Sequence, residues 1–160
     1  MIDSTIVRVH QHSAGAVKKD QDEAIGRSKG GLSTKIHATV DVLGNPTGFH
    51  LSGGQACDLD GANALLLDLS ANTILADKGY DADVRVLEPL ARAGKTAGIP
   101  PKRHRTNQRF YDKHLYKTRH LIENFFAKPK QFRAIPTGYD KTARNFLAAI
   151  HLAAATIWLT

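Results

Sequence analysis

The chain has 160 residues, 42% of them hydrophobic, enough for one compact domain with a real core and short for two. Its formal net charge of +7 directs attention to polyanions (DNA, RNA or an anionic membrane surface) without choosing among them. The single cysteine, Cys57, excludes an intrachain disulfide and suits a reducing compartment. No secretory signal pattern opens the sequence. The longest apolar run, Phe146 to Leu159, is broken by His151 and falls short of the roughly 20 residues that a membrane span needs. The expectation is a cytoplasmic protein with no membrane partner.

In chain order, Ile2 to His10 is β-branched and partly alternating, which predicts a strand with Asp3 at its beginning. Ser13 to Ser33 turns to Gly, Lys, Asp, Glu and Ser and reads as a long polar loop. Thr34 to Val42 alternates again, Gly44-Asn45-Pro46 supplies turn chemistry, and Thr47 to Ser52 completes a hairpin. Asp58 is placed to cap a helix carrying Ala62, Leu65, Leu66 and Leu69 at helical spacing. Thr73 to Ala76 is a short buried-type strand that ends at Asp77.

A helix starting at Asp81 or Asp83 presents Val84, Leu87 and Leu90 and closes at Gly94. Thr96 to Ile99 gives a last strand before Pro100-Pro101. Lys102, Arg103, His104, Arg105 and Arg109 form the densest basic stretch. Helical patterns follow from about Phe110 to Gln131 and from Asp140 to Trp158. Early strands joined by hairpins and later ones joined through helices predict a single α/β domain over 1–160, with a mixed five-stranded sheet flanked by helices.

Three acids stand out. Asp3 and Asp77 lie at strand ends, where functional side chains converge in open α/β sheets. Glu123 sits on the long helix. At about 100° per residue, Tyr116, Arg119, Glu123 and Lys130 fall within an arc of roughly 60°. Phosphodiester cleavage with two divalent ions needs carboxylates to hold the metals and basic groups to steer the phosphate, and such a stripe has both. Each residue also has a plainer reading. Asp77 alone reads as a turn residue, Asp3 as a solvated acid near a terminus, and Glu123 as half of a surface ion pair. His10 and His12 lack a third zinc ligand and suit a strand face or a phosphate contact, and Cys57 has no partner motif.

The string Tyr116-x2-Arg119-x3-Glu123-x6-Lys130 resembles the signature of insertion-sequence DDE transposases of the insertion sequence five and four type. The likeness runs on through Asp3-Ser4-Thr5, His10-Gln11-His12, Gly26-Arg27-Ser28-Lys29-Gly30-Gly31-Leu32, Thr34-Lys35-Ile36-His37, Ala76-Asp77-Lys78-Gly79-Tyr80-Asp81, Ile99-Pro100-Pro101-Lys102 and Glu123-Asn124-Phe125-Phe126. It covers nearly the whole chain.

The resemblance implies an RNase H-like catalytic domain, with the first acid on strand one, the second just after strand four and the third on a late helix. On that reading Asp3, Asp77 and Glu123 bind two Mg2+ ions, with Mn2+ as a substitute, for strand cleavage and strand transfer without a covalent enzyme intermediate. Tyr116, Arg119 and Lys130 touch the DNA backbone. Lys102, Arg103, Arg105 and Lys35 are further expected DNA contacts, and the Gly26 to Lys35 segment either offers backbone amides to phosphates or is a plain loop. The implied partners are double-stranded DNA, as terminal inverted repeats and target, and a homo-oligomer assembled on that DNA near the bacterial nucleoid.

Two departures qualify the likeness. Asp3 lies two residues from the start, so the region that such transposases use to recognise terminal repeats is absent ahead of it. The expectation is a downstream reading frame joined to an upstream segment by frameshifting, or a truncated remnant. Pro129 falls between Glu123 and Lys130, where a proline costs about 3 kcal/mol inside a helix and is expected to move Lys130 off the stripe while leaving Glu123 in place. A non-catalytic product that binds DNA or full-length transposase as a regulator is thus the competing reading, and a nuclease for RNA or Holliday junctions is a third.

Overall fold

The computed structural model describes residues 1–9, 24–66, 69–131, 135 and 142–159. His10, Gln11, His12 and most of the expected Ser13–Ser33 loop lie outside the described residues. The strands are β1 (Ile2–Arg8), β2 (Gly26–Ser28), β3 (Gly31–Val40), β4 (Pro46–Gly53), β5 (Thr73–Leu75) and β6 (Thr96–Gly98). The helices are α1 (Asp58–Leu65), α2 (Glu88–Arg92), α3 (Lys113–Tyr116), α4 (His120–Ala127) and α5 (Ala143–Leu159).

The architecture is mixed α and β, as expected, but the strands do not join in one hydrogen-bonded sheet. Antiparallel β3 carries β1 along one edge and β2 and β4 along the other, and among the described residues β5 pairs only with β6, in parallel. Strands β5 and β6 have three residues each, and β5 meets β1 through side chains, Ile2 packing in one cluster with Ile74 and Ala76.

The expected polar loop also ends sooner than its composition suggests. Gly26–Ser28 folds back on Gly31–Ser33 as a hairpin, and Gly31, at φ 99°, takes a backbone conformation that a side chain would strain. In the next turn Asp41 Oδ1 accepts from the amides of Leu43 at 2.8 Å and Asn45 at 2.9 Å, an Asx turn that sets the β3–β4 register.

Strand β3 is covered on both faces, which explains its unbroken burial from Ser33 to Val40. Ile36, Ala38 and Val40 join Val7, Ile122, Phe125, Phe126, Phe146 and Ile150 in a core between the sheet and helices α4 and α5. Lys35 and His37 point the other way, toward α1. A Cβ on Gly61 would lie 2.2 Å from His37 Nδ1, so only glycine lets α1 approach β3 this closely. The second core gathers Ile2, Ala62, Leu66, Ile74, Tyr80, Val86, Leu90 and Ile99.

Two helix boundaries differ from expectation, while the helix expected from Asp81 or Asp83 to Gly94 keeps those bounds and differs only in how it opens. Asp58 does not cap α1. Cys57 holds the cap position, and its amide donates to Asp60 Oδ2 at 3.1 Å. The segment after Ala82 opens as a π-helical turn over Asp83–Leu87 before α2, with Gly94 at φ 68° ending it. The long helix predicted from Phe110 begins only at Lys113, where Asp112 caps the amides of His114 and Leu115 at 2.8 and 2.9 Å. It runs through a 3-10 turn at Lys117–Arg119 into α4, stops at Ala127, and resumes as a 3-10 turn at Pro129–Gln131. A proline has no amide to donate and clashes with the preceding turn, so the α-helical bonding ends where Pro129 enters.

Burial pushes His37 down to about 4, helped by His50 and Lys35 and opposed by Asp58 and Asp60. A depressed histidine contributes stability that is complete above the unfolded value near 6.5 and is lost as pH falls from there toward 4. Urea midpoints between pH 7.5 and 4.5 are expected to fall by the equivalent of about 3 kcal/mol at most. In His37→Gln that slope should flatten.

Candidate active site

The alternation of β1 decides which side chains can meet. Asp3 pairs in register with Ala38, and Val7, two residues beyond Thr5 on the same face, lies in the α4 and α5 core, so Asp3 looks toward α4. Ser4, on the opposite face, donates to Asp58 Oδ1 at 2.6 Å. Asp77 follows β5 directly and caps the short turn Lys78–Tyr80, its Oδ1 accepting from the Gly79 amide at 2.7 Å. Glu123 is exposed in the first turn of α4.

Arg119 links the first and third of these acids. One guanidinium nitrogen donates to Asp3 Oδ2 at 2.8 Å, 116 residues away in sequence, and another pairs with Glu123 one helical turn on. The Tyr116 ring lies beneath the same guanidinium, its centroid 5.9 Å from Cζ, and Tyr111 meets Tyr116 edge-on. Burial pushes the Asp3 carboxyl above its ordinary value, the Ser4 amide and Arg119 pull it back, and the charge of Asp77 pushes it up again. Burial likewise raises Tyr116, which also feels Asp77. Burial opposes the charge on Arg119, but Asp3, Tyr116 and Glu123 outweigh it and hold the group firmly protonated.

Asp3 and Glu123 are therefore joined through a cation, and Asp77 is coupled to Asp3 through its field. Among the described residues no group of three acids or histidines is assembled as a metal cage. The donor set is nonetheless all carboxylate oxygen, which suits a hard divalent cation, and the guanidinium between Asp3 and Glu123 marks where positive charge is accommodated.

The basic residues singled out from sequence fall into separate groups. Tyr116 and Arg119 share the face of Glu123. Lys130, exposed, lies beyond the break at Pro129, on a small cleft that Thr5, Val7 and Ile36 also line. Lys102 and Arg103 are exposed on the loop after Pro101. Arg105 is turned inward onto Asp81 and Asp83 at 2.6 and 2.8 Å. Lys35 is 9% exposed and bonds to the Ala56 carbonyl at 2.6 Å and Asp58 at 2.7 Å, an internal cation on the face away from Asp3 and not a group presented to phosphate.

Residues 1–158 match the family model described as the Transposase DDE domain. The chain belongs to this DDE transposase family. It is similar to a Brucella ovis protein named, provisionally, as the transposase for insertion sequence element IS6501, with 37% identity over 129 residues, 80% of this chain and 99% of the relative. No solved structure matches. Family membership carries DNA transposition as the role, with DNA as partner, divalent ions and phosphodiester chemistry as general features of DDE transposases. Among the described residues no helix is long and apolar enough to cross a membrane.

Two residues of this transposase domain escaped the sequence reading. Asp58 looked like a cap and is instead the acceptor for both Ser4 and Lys35. Tyr80 was only part of a motif, yet its side chain is fully buried beside Ile2 and Ile74, and among the described residues its hydroxyl makes no well-aligned hydrogen bond, although the Ser4 hydroxyl bears on it. Burial, and then the charges of Asp58, Asp3 and Asp77, push that phenol far up, with Ser4 opposing, so it stays protonated. No periodicity could have flagged it, since an aromatic after Asp-Lys-Gly reads as core. A buried hydroxyl without a partner is a net cost. Tyr80→Phe is expected to leave thermal stability unchanged or raise it by up to about 1 kcal/mol. A clear loss in the melting curve would mean that the hydroxyl is held.

Proposed function

We propose that Asp3, Asp77 and Glu123 are the catalytic acids of a DNA-cleaving and strand-transferring transposase domain, and that they hold two magnesium ions, for which manganese can substitute. The observation that carries this reading is Arg119, which ties Asp3 on β1 to Glu123 on α4 while Asp77 bears electrostatically on Asp3. Bound among these carboxylates, the ions would supply Lewis acidity at the scissile phosphate and an acidified water or 3′-hydroxyl as nucleophile.

The side chains have separable tasks. Asp3 and Glu123 would exchange their guanidinium partner for metal, freeing Arg119 to meet a phosphate oxygen with its planar fork of donors. Tyr116, stacked beneath that guanidinium, orients it. Asp77, fixed by the Gly79 amide, presents its carboxylate from the end of β5. Lys130, Lys102 and Arg103 add charge for the DNA backbone, at transposon ends and target alike.

An RNase H-like sheet is part of the same proposal. Closing the gap between β1 and β5 would string β4, β3, β1, β5 and β6 into one mixed sheet of five, and Ile2 already packs with Ile74 and Ala76 across that gap. A homo-oligomer on DNA completes the assembly.

A second reading is favoured by one observation, the end of α4 at Ala127 ahead of Pro129, which sets Lys130 apart from the stripe. On that reading the chain binds DNA or full-length transposase as a regulator and cuts poorly.

Supercoiled-plasmid nicking in Mg2+ or Mn2+ separates the two. Asp3→Asn, Asp77→Asn and Glu123→Gln are each expected to cut activity by more than the roughly 100-fold that loss of an outer partner of a metal site costs, with DNA affinity largely kept. Chelation should abolish nicking, and Pro129→Leu should increase it. No nicking by the parent in either metal would leave the regulator.

A further inference from the structure

We propose that residues 100–112 form a rigid arm that docks on duplex DNA, with Asp81 as the positioning residue that holds it and Phe110 as its apolar contact to the sugars and base edges of a groove. The inference deepens the reading of DNA as partner and does not depend on the identity of the catalytic acids.

The arm is pinned from within. The Asp81 side chain is wholly buried and receives the Lys102 amide at 2.7 Å, the Arg105 Nε at 2.6 Å and the guanidinium of Arg109. Arg105 makes a second bond, to Asp83. Gln108 Nε2 closes the loop on itself, donating to the carbonyls of Lys102 at 3.2 Å and Arg105 at 3.1 Å, and Asp112 caps α3 at its far end. Since Asp81 sits four residues after Asp77, the same turn places both the arm and a proposed catalytic acid.

What the pins leave outward is chemically specific. Lys102, Arg103 and His104 are exposed, and Phe110 is 95% exposed, the most exposed large apolar side chain among the described residues. A lone exposed phenylalanine is ordinary on a protein surface. This one stands next to Arg109, which is clamped, so neither it nor the basic run can fold away. Charge chooses the occupant. A second copy of a chain carrying +7 would bring its own basic arm against this one, whereas a duplex offers phosphates to Lys102 and Arg103 and an apolar groove wall to Phe110. Arg105 and Arg109 act inside the arm and do not themselves touch DNA.

Fluorescence anisotropy of the full chain with a labelled duplex of arbitrary sequence, titrated with salt, tests this. Phe110→Ala is expected to weaken binding about tenfold with the salt slope unchanged, because no counterion is released by an apolar contact, and Phe110→Trp should restore it. Asp81→Asn is expected to weaken binding and flatten the slope by about two charges, and Lys102→Ala with Arg103→Ala, which spares the clamp, should flatten it likewise should Asp81→Asn fail to fold.

Three results would overturn the arm: unchanged affinity in Phe110→Ala, a loss confined to self-association in sedimentation, or tighter binding with a steeper slope in Asp81→Asn, which would show the aspartate to be masking its arginines. Plasmid nicking that survives all these variants with affinity unaltered removes the arm alone. A parent that never nicks but shows the expected affinity losses removes the catalytic reading alone.

Discussion

The contact on which the site depends is a cation held between acids from opposite ends of the chain. Asp3 comes from β1 and Glu123 from α4, and Arg119 lies between them. An ion pair of this exposure is worth about 1 kcal/mol or less, so it cannot be what brings α4 to the sheet. Ile122, Phe125 and Phe126 do that, each burying against Val7, Ile36 and Ala38 at about 1.5–3 kcal/mol per side chain. Packing therefore sets the distance between helix and strand. The guanidinium selects which polar groups face each other across it.

Strand β3 makes this arrangement possible by being buried on both faces. One face supplies the apolar wall under α4 and α5, and the other carries Lys35 and His37 against α1. Because side chains alternate, β1 inherits the same division: Asp3 on the α4 side, and Ser4 on the α1 side with Asp58 and Lys35. The charge on the back of the sheet is thus neutralised locally, while the acids of the front, Asp3 and Glu123, share one guanidinium. Burial acts on both sides, pushing His37 down and Asp3 up, and at Asp3 the Ser4 amide and Arg119 counter it.

The net charge of +7 overstates what the surface offers to a polyanion at some positions and locates it at others. Lys35, Arg105 and Arg109 are consumed by Asp58, Asp81 and Asp83 inside the fold. Burial alone would raise the Asp81 carboxyl, but Arg105, the Lys102 amide and Arg109 hold it below the usual carboxylate range, so it stays charged and keeps its grip at any physiological pH. The basic side chains that remain outward on the 100–112 segment are those whose neighbours are tied down.

Much was legible in the residues themselves. Alternation placed β1, β3 and β4, the short apolar runs placed β5 and β6, and Asp3, Asp77 and Glu123 were found on a strand, after a strand and on a helix, because periodicity and turn chemistry are local properties that a window of ten residues records. Pro129 announced the end of α4 for the same reason. Only the tertiary structure could decide that Lys35 and Arg105 turn inward, that Asp58 accepts from two directions and does not cap its helix, that Tyr80 is buried, and that five expected strands divide between two sheets. Each of those outcomes depends on a partner 20 or more residues away. Composition carries no record of which distant groups will meet, because the free energy that selects them is released only when the chain is packed.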